Sequence, residues 1–276
     1  MAVRTDTHAH LVWPIFLLAA AGLLLLSLSP VTAEAQRIGR HGNQPTIVLV
    51  HGAWADPSGW QQVIDRLHKD GFQTVTPKLD LLSLDGDTAI VRAALDAITG
   101  DKILVGHSYG GEVVSAASAG RSDIRAIVYT AAFVPDQGET GLDLLAGYAP
   151  SAALDHLIFT GEPWNSPAYL DSAFFHEVFA ADLSDSDAAA MNAAQQPTHP
   201  ATFASPSGPV GWHDLPVYYA VSGQDLIIDP NLQGWMAARA GATTIEFKKA
   251  SHVGGFTVHA HQFTKLIERA VRETGC

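Results

Sequence analysis

An α/β fold, with a mostly parallel sheet flanked by helices and a helical cap inserted in its second half, is predicted by three features of this 276-residue chain. Short runs of β-branched and aliphatic residues alternate with segments whose apolar residues recur at helical spacing. Glycine-containing turns follow several of the strand-like runs. The alternation is interrupted once, over about residues 136–212, by a stretch that carries helical patterns and no clear strand, too long and too apolar for a loop.

Residues 46–50, Thr-Ile-Val-Leu-Val, form a continuous run ended by His51-Gly52, the pattern of a strand buried on both faces. Residues 60–69 place Trp60, Val63, Ile64 and Leu67 on one helical face, and Gly71 closes that helix. A short strand over 72–76 precedes Pro77. Residues 88–98 are again helical, with Ile90, Val91, Ala94, Leu95 and Ile98 on one side. Strand 102–105, the glycine-rich turn 106–111, an alanine-rich helix from Glu112 and strand 124–130 complete the first half. In the interruption, helix-like pieces fall near 142–146, 168–180 and 184–195, which predicts a helical cap over the C-terminal edge of the sheet. The α/β pattern then resumes with strand 217–221, helix 231–240, strand 244–248 and a last helix over 258–272.

Composition narrows the chemistry. Hydrophobic residues make up 47% of the chain and charged residues 16%, enough for a substantial core. Sixteen Lys plus Arg against 28 Asp plus Glu, a formal charge of −12, leaves no basic excess for phosphates, so nucleic acid is excluded as a partner. The one cysteine, Cys276, is the last residue, which rules out an internal disulfide, a cysteine-ligated zinc and a cysteine nucleophile in a packed site. Thirteen histidines show no His-Glu-x-x-His spacing, and no metal site is expected.

The first residues separate from the fold. Positions 11–28 carry no charge and are rich in Leu and Ala, and Ala33-Glu34-Ala35 supplies an Ala-x-Ala pattern. Residues 1–35 read as a secretory signal cut after Ala35, leaving residues 36–276 as the mature domain in the periplasm or outside the cell. An uncleaved membrane anchor is the alternative, since 18 apolar residues approach the length of a span.

Chemistry concentrates in Gly106-His107-Ser108-Tyr109-Gly110-Gly111, a Gly-x-Ser-x-Gly string between a strand and a helix. A serine in such a turn takes strained backbone angles that lift its hydroxyl off the sheet, and small neighbours are needed beside it. A serine hydroxyl needs a base, and the base needs a carboxylate to fix its tautomer. Asp225, in Ser222-Gly223-Gln224-Asp225, and His252, in Ala250-Ser251-His252-Val253, follow the strands 217–221 and 244–248. Both therefore sit at the edge where parallel sheets bind ligands. Asp229 precedes Pro230 at a helix start and reads as an N-cap, whereas Asp136 is an alternative carboxylate. His213, His259 and His261 read as surface or packing residues. Oxyanion donors are expected from the amide of Tyr109 and, in His51-Gly52-Ala53-Trp54, from the amide of Ala53. Trp54 and the cap aromatics Trp164, Tyr169, Phe174, Phe175 and Phe179 are candidates for pocket lining or for packing.

Residues 48–54 (Val-Leu-Val-His-Gly-Ala-Trp), 105–111 (Val-Gly-His-Ser-Tyr-Gly-Gly), Gln224-Asp225 and Ser251-His252, in this order, resemble the α/β-hydrolase superfamily. More narrowly they are similar to its small-capped branch, which includes plant methyl-ester esterases, hydroxynitrile lyases and bacterial esterase-like hydrolases. The similarity covers the chain after the leader and weakens through the cap. It implies Ser108 as nucleophile, His252 as base, Asp225 as orienting acid and the amides of Ala53 and Tyr109 as oxyanion hole. Lyases of this branch place a lysine directly after the histidine, where this chain has Val253, so ester hydrolysis is favoured over cyanide release.

The expected function is a serine hydrolase that cleaves carboxylic esters of small to medium, largely apolar substrates through an acyl-enzyme, with no cofactor. Lactone or amide hydrolysis, acyl transfer, and a receptor that holds a ligand with little turnover share the same residues and stay open.

Overall fold

The computed structural model describes residues 44–276 together with Ala2. Apart from Ala2, the expected leader, residues 1–35, lies outside the described residues. From Gln44 on, the elements run β1 (Thr46–Val50), α1 (Gln61–Lys69), β2 (Thr74–Val75), α2 (Leu84–Asp96), β3 (Lys102–His107), α3 (Gly110–Ser118) and β4 (Ile124–Thr130). The cap holds α4 (Gly141–Leu145), β5 (Leu157–Phe159), β6 (Ala168–Leu170), α5 (Ser172–Phe179), α6 (Asp185–Ala193) and α7 (Ala201–Ala204). The chain returns to the sheet with β7 (Val217–Ser222), α8 (Pro230–Arg239), β8 (Thr243–Phe247) and α9 (Ala260–Thr274).

Six strands pair in the order β2-β1-β3-β4-β7-β8, every ladder parallel. Consequently all the loops that leave the C-terminal ends of β1, β3, β4, β7 and β8 gather on one edge. Helices cover both faces as their patterns require. α1 turns Val63 and Leu67 inward, and α9 buries Phe263, Leu266, Ile267, Ala270 and Val271. The central strand β3 is buried along its whole length, including Lys102, whose Nζ is neutralised by Asp123 at 2.7 Å.

Two differences from the sequence-based expectation have local causes. α2 begins at Leu84 rather than 88, because Ser83 caps it by accepting from the amide of Gly86 and Leu84 is already buried. The cap is not purely helical: β5 and β6 form an antiparallel hairpin with Ile158 opposite Tyr169, and Ala168 makes a further bridge to Thr198. Three-residue strands give too few alternations to be read from the sequence. Asp171 then accepts from the amide of Ala173 and starts α5, which splits the helix expected over 168–180.

Glu112, in the first turn of α3, is fully buried, and neither of its carboxylate oxygens has a hydrogen-bond partner among the described residues. Burial pushes its carboxyl well above the usual carboxylate range, which favours its protonated form in the fold. Space is short there: a Cβ on Gly141 would lie 2.5 Å from Oε1. A raised carboxyl pKa means the folded state binds the proton more tightly, so this group favours folding below its unfolded value and opposes it at neutral pH. Glu112→Met, which keeps the length of the side chain, is expected to raise stability at pH 7–8 by about 1–3 kcal/mol. Denaturant unfolding at pH 5 and pH 8 reads this as a gain over the parent that is larger at the higher pH.

Candidate active site

Ser108 occupies the turn between β3 and α3 with φ 54°, in the left-handed region that non-glycine residues rarely adopt. The strain is held by its neighbours. Its amide donates to Ala131 O at 3.1 Å, and its carbonyl accepts from the amides of Gly111 (2.9 Å) and Phe133 (3.1 Å). Two glycines permit the crowding. A Cβ on Gly110 would lie 2.5 Å from Val50 O, and one on Gly52 would lie 2.6 Å from the Ser108 Cβ. The loops after β1 and β3 therefore meet at the serine.

His252 and Asp225 meet on the adjoining loops. The Nδ1–H of His252 donates to Asp225 Oδ2 at 2.8 Å, and both side chains are wholly buried. Asp225 is also held from its own side. Its Oδ1 accepts from the amides of Ile227 (2.7 Å) and Ile228 (3.0 Å), and its Oδ2 accepts from Gln233 Nε2 (2.8 Å). Gln233 is in turn fixed, accepting from Ser222 N at 3.0 Å and donating to Ile228 O at 2.8 Å. The imidazole of His252 stands with its ring centre 4.6 Å from that of His107, the residue before Ser108, and 5.0 Å from that of Phe179. Its other nitrogen, Nε2, is buried and has no hydrogen-bond partner among the described residues, Ser108 Oγ included.

The two expected oxyanion donors are buried residues, Ala53 at 1% exposure and Tyr109 at 0%, and neither amide has an acceptor among the described residues. Each is braced by a side chain. The amide of Leu79 donates to His51 Nε2 at 3.1 Å, so the His51 proton is on Nδ1, which donates to Gly52 O at 2.9 Å. That carbonyl belongs to the same planar peptide as the Ala53 N–H, which is thereby turned away from the His51 ring. Tyr109 is anchored by its hydroxyl, which donates to Asp87 Oδ2 at 2.8 Å, while Asp87 Oδ1 accepts from the amides of Asp80 and Leu81. Burial raises the carboxyl of Asp87 and, together with Asp87, raises the phenol of Tyr109.

The aromatic residues expected at the pocket separate into groups. Trp54 is buried, its indole donating to Ala168 O at 3.1 Å and its ring 5.9 Å from Phe203. Phe175 is buried and packs on Phe179, the aromatic that reaches His252. Trp164 and Phe174 are displayed on the cap surface instead, 58% and 37% exposed, against Phe159 and His156 respectively. Aromatic character alone does not say which way a side chain faces. Phe203 of α7 and Phe133, absent from the expected lining, pack together with Tyr109, at 5.6 Å from Phe203 to Tyr109 and 6.2 Å from Phe203 to Phe133. A cleft of about 670 Å³ lies between the cap and the loops of Asp225 and Ser251; Ser108 is not among its lining residues.

The alternative carboxylates have other partners. Asp229 caps α8, accepting from the amide of Asn231 at 2.7 Å, and Asp136 binds His213 Nε2 at 3.0 Å. His259 stacks on Phe247, and no group of three or more His, Cys, Asp or Glu suited to a metal ion is present among the described residues.

A parallel sheet in this strand order, a left-handed serine after its central strand and a buried Asp–His pair on two later loops define the α/β-hydrolase class of fold. A model of the alpha/beta hydrolase family matches residues 47–266, and the chain belongs to that family. It is 26% identical over 206 residues to the "Probable hydrolase R7" of Phoma sp., covering 69% of this chain and 81% of that protein. It is 34% identical over 116 residues to the carbendazim hydrolyzing esterase of Nocardioides sp., 37% of this chain and 48% of that one. The crystal structure of polyneuridine aldehyde esterase shares the fold, with a TM-score of 0.71, 18% identity, and coverage of 83% of this chain and 100% of that one.

Burial pulls His51 from the ordinary 6.5 down to about 4, and burial together with His252 pulls His107 well below its ordinary value. A depressed histidine is neutral in the fold and charged in the unfolded chain, so its contribution is complete above pH 6.5 and lost as pH falls toward 4. For His51 this loss amounts to about 3 kcal/mol. Denaturant unfolding of His51→Gln at pH 7 and pH 4.5 is expected to show a smaller loss on acidification than the parent shows; equal losses would place the acid sensitivity elsewhere.

Proposed function

We propose that the protein is a serine hydrolase that cleaves carboxylic esters of small to medium, largely apolar substrates through an acyl-enzyme. The observation that carries this reading is the buried imidazole of His252, oriented through Nδ1 by a fully bonded Asp225, with an Nε2 that no other described residue engages, next to the strained turn of Ser108. An unpaired nitrogen in a buried ring is costly, and a catalytic role is a reason for a fold to retain it.

Ser108 Oγ attacks the ester carbonyl carbon while His252 Nε2 takes the hydroxyl proton. The oxygen that gains the negative charge accepts hydrogen bonds from the free amides of Ala53 and Tyr109. Collapse breaks the bond to the alkoxy oxygen, and His252 returns the proton to it, releasing the alcohol. Water then attacks the acyl-enzyme as His252 takes its proton, and cleavage of the bond to Ser108 Oγ, to which His252 passes that proton, frees the carboxylic acid and restores both the serine hydroxyl and the neutral imidazole. Phe179 packs against the imidazole of His252, and Trp54 and Tyr109, which adjoin and include the proposed oxyanion donors, pack on Phe203 together with Phe133; these apolar neighbours support an apolar substrate. The esterase name of the Nocardioides relative supports the ester class.

Ser108→Ala is expected to lower turnover of short p-nitrophenyl esters by at least about 10³-fold and to abolish labelling by a fluorophosphonate, with a Tm within about 2 °C of the parent. Retained turnover would move the nucleophile elsewhere. Labelling of the parent without turnover across an ester panel would favour a ligand-holding protein over an enzyme.

We further propose that the chain is exported and cut after Ala35. The expected amino terminus of protein recovered from the producing cell is Gln36; an intact terminus in a membrane fraction would support an anchor instead.

A further inference from the structure

Both ends of the candidate catalytic apparatus are fastened to the cap. Ser251, the residue before His252, donates its amide to Asp182 Oδ2 at 3.1 Å and its hydroxyl to Asp182 Oδ1. Asp182 lies in the cap between α5 and α6, and its carboxylate reaches so far into the histidine loop that a Cβ on Gly254 would overlap Oδ2. On the other side, Trp54, the residue after Ala53, donates its amide to Thr198 Oγ1 at 3.0 Å. Trp54 has φ 53°, an unfavourable backbone state for a residue of its size that needs a partner to hold it. Thr198 is well placed for this, since it is buried at 3% exposure and paired with Ala168 by reciprocal backbone bonds of 2.9 Å.

The site between these fasteners is shut. Ser108 is 2% exposed and His252 0%, so both reacting groups are shielded from bulk water in this state of the cap. Displacement of the segments that carry Asp182 and Thr198 would break the very bonds that steady the histidine loop and the Ala53–Trp54 turn. The other ties of those loops, His51 to Gly52 O and Leu79 N and His107 to His252 O, come from the sheet side, and small shifts of a reacting group have large effects on rate.

Resting on the hydrolase reading above, we propose that cap closure assembles the base and the oxyanion hole, with Asp182 and Thr198 as positioning residues that act through Ser251 and Trp54. Neither touches the reacting atoms. Their contribution belongs to the closed complex and therefore to kcat rather than to substrate binding.

The test compares Asp182→Ala and Thr198→Val with the conservative Asp182→Asn and Thr198→Ser, each in the mature protein, using a p-nitrophenyl ester and fluorophosphonate labelling. Asp182→Ala and Thr198→Val are expected to lower kcat by about 10–100-fold with KM within about 3-fold of the parent, and to slow labelling in parallel. Asn still accepts from Ser251 and Ser still accepts from Trp54, so both are expected to recover most of the rate. A rise in KM at constant kcat would overturn the proposal in favour of a cap that only retains substrate. Unchanged kcat with a lowered Tm would leave a structural role alone. Should Asp182→Ala not fold, Ser251→Ala removes one of the two bonds and is expected to lower kcat by a smaller factor; no change would overturn the proposal. A parent that neither turns over nor labels would defeat the hydrolase reading itself, whereas an active parent silenced by Ser108→Ala but indifferent to Asp182 and Thr198 would defeat only this inference.

Discussion

A carboxylate removed from water costs several kcal/mol unless donors replace the lost hydration. At Asp225 four donors do so: the amides of Ile227 and Ile228 on one oxygen, and Gln233 with His252 on the other. Much of the surrounding geometry follows from this. The chain after β7 must curl back on itself to present two successive amides, and α8 must begin where it does to bring Gln233 against the loop. Gln233 then ties the same carboxylate to the end of β7 through Ser222. Because every lone pair is used, the carboxylate has one orientation available, and the imidazole bonded to it inherits that orientation.

The sheet accounts for why such distant residues can meet at all. In an all-parallel sheet each strand delivers its following loop to the same edge, so residues 52, 108, 225 and 252 converge although up to 200 positions separate them. The approach is close enough that side chains must be absent at specific points. Gly52 faces the Ser108 Cβ, and Gly110 faces the carbonyls of Val50 and His51. Neutral buried polar groups serve the same end. His51 spends both ring nitrogens on backbone groups, Gly52 O and Leu79 N, and His107 donates Nε2–H to His252 O, which holds these loops without bringing a charge beside the imidazole.

These relations were unequally legible in the sequence. β1 could be read to the residue because its continuous apolar run ends abruptly at His51-Gly52, β4 was read with the same bounds although Arg125 interrupts its apolar residues, and the strand–turn–helix context singled out Ser108. That Asp225 and His252 lie on neighbouring loops followed from the strands before them; that Gln233 would support the pair did not, because a glutamine within a helix carries no mark of its partner. The hairpin β5–β6 was hidden by its length. Trp164 and Phe174 drew attention as aromatics, yet their direction is decided by the hairpin and by the start of α5, which the sequence pattern did not resolve. Phe203 sits in a four-residue helix too short to show a face. Asp182 and Thr198 occur in ordinary polar contexts, and only their contacts across 69 and 144 positions set them apart.

That contrast divides the molecule by the kind of information each part needs. Loops fixed to the sheet are specified locally, by glycines and caps adjacent in sequence, and so the core of the site can be read from short motifs. The cap acts at long range. Its bonds to Ser251 and Trp54 reach residues that directly adjoin His252 and Ala53, so a change in the cap that never meets the reacting atoms still bears on the two loops where the chemistry is proposed to occur. Substitutions in the cap can thus alter both which substrates are admitted and how firmly the loops are held. Separating those two effects in this protein requires rate constants, because both leave the sheet and its buried Asp–His pair unchanged.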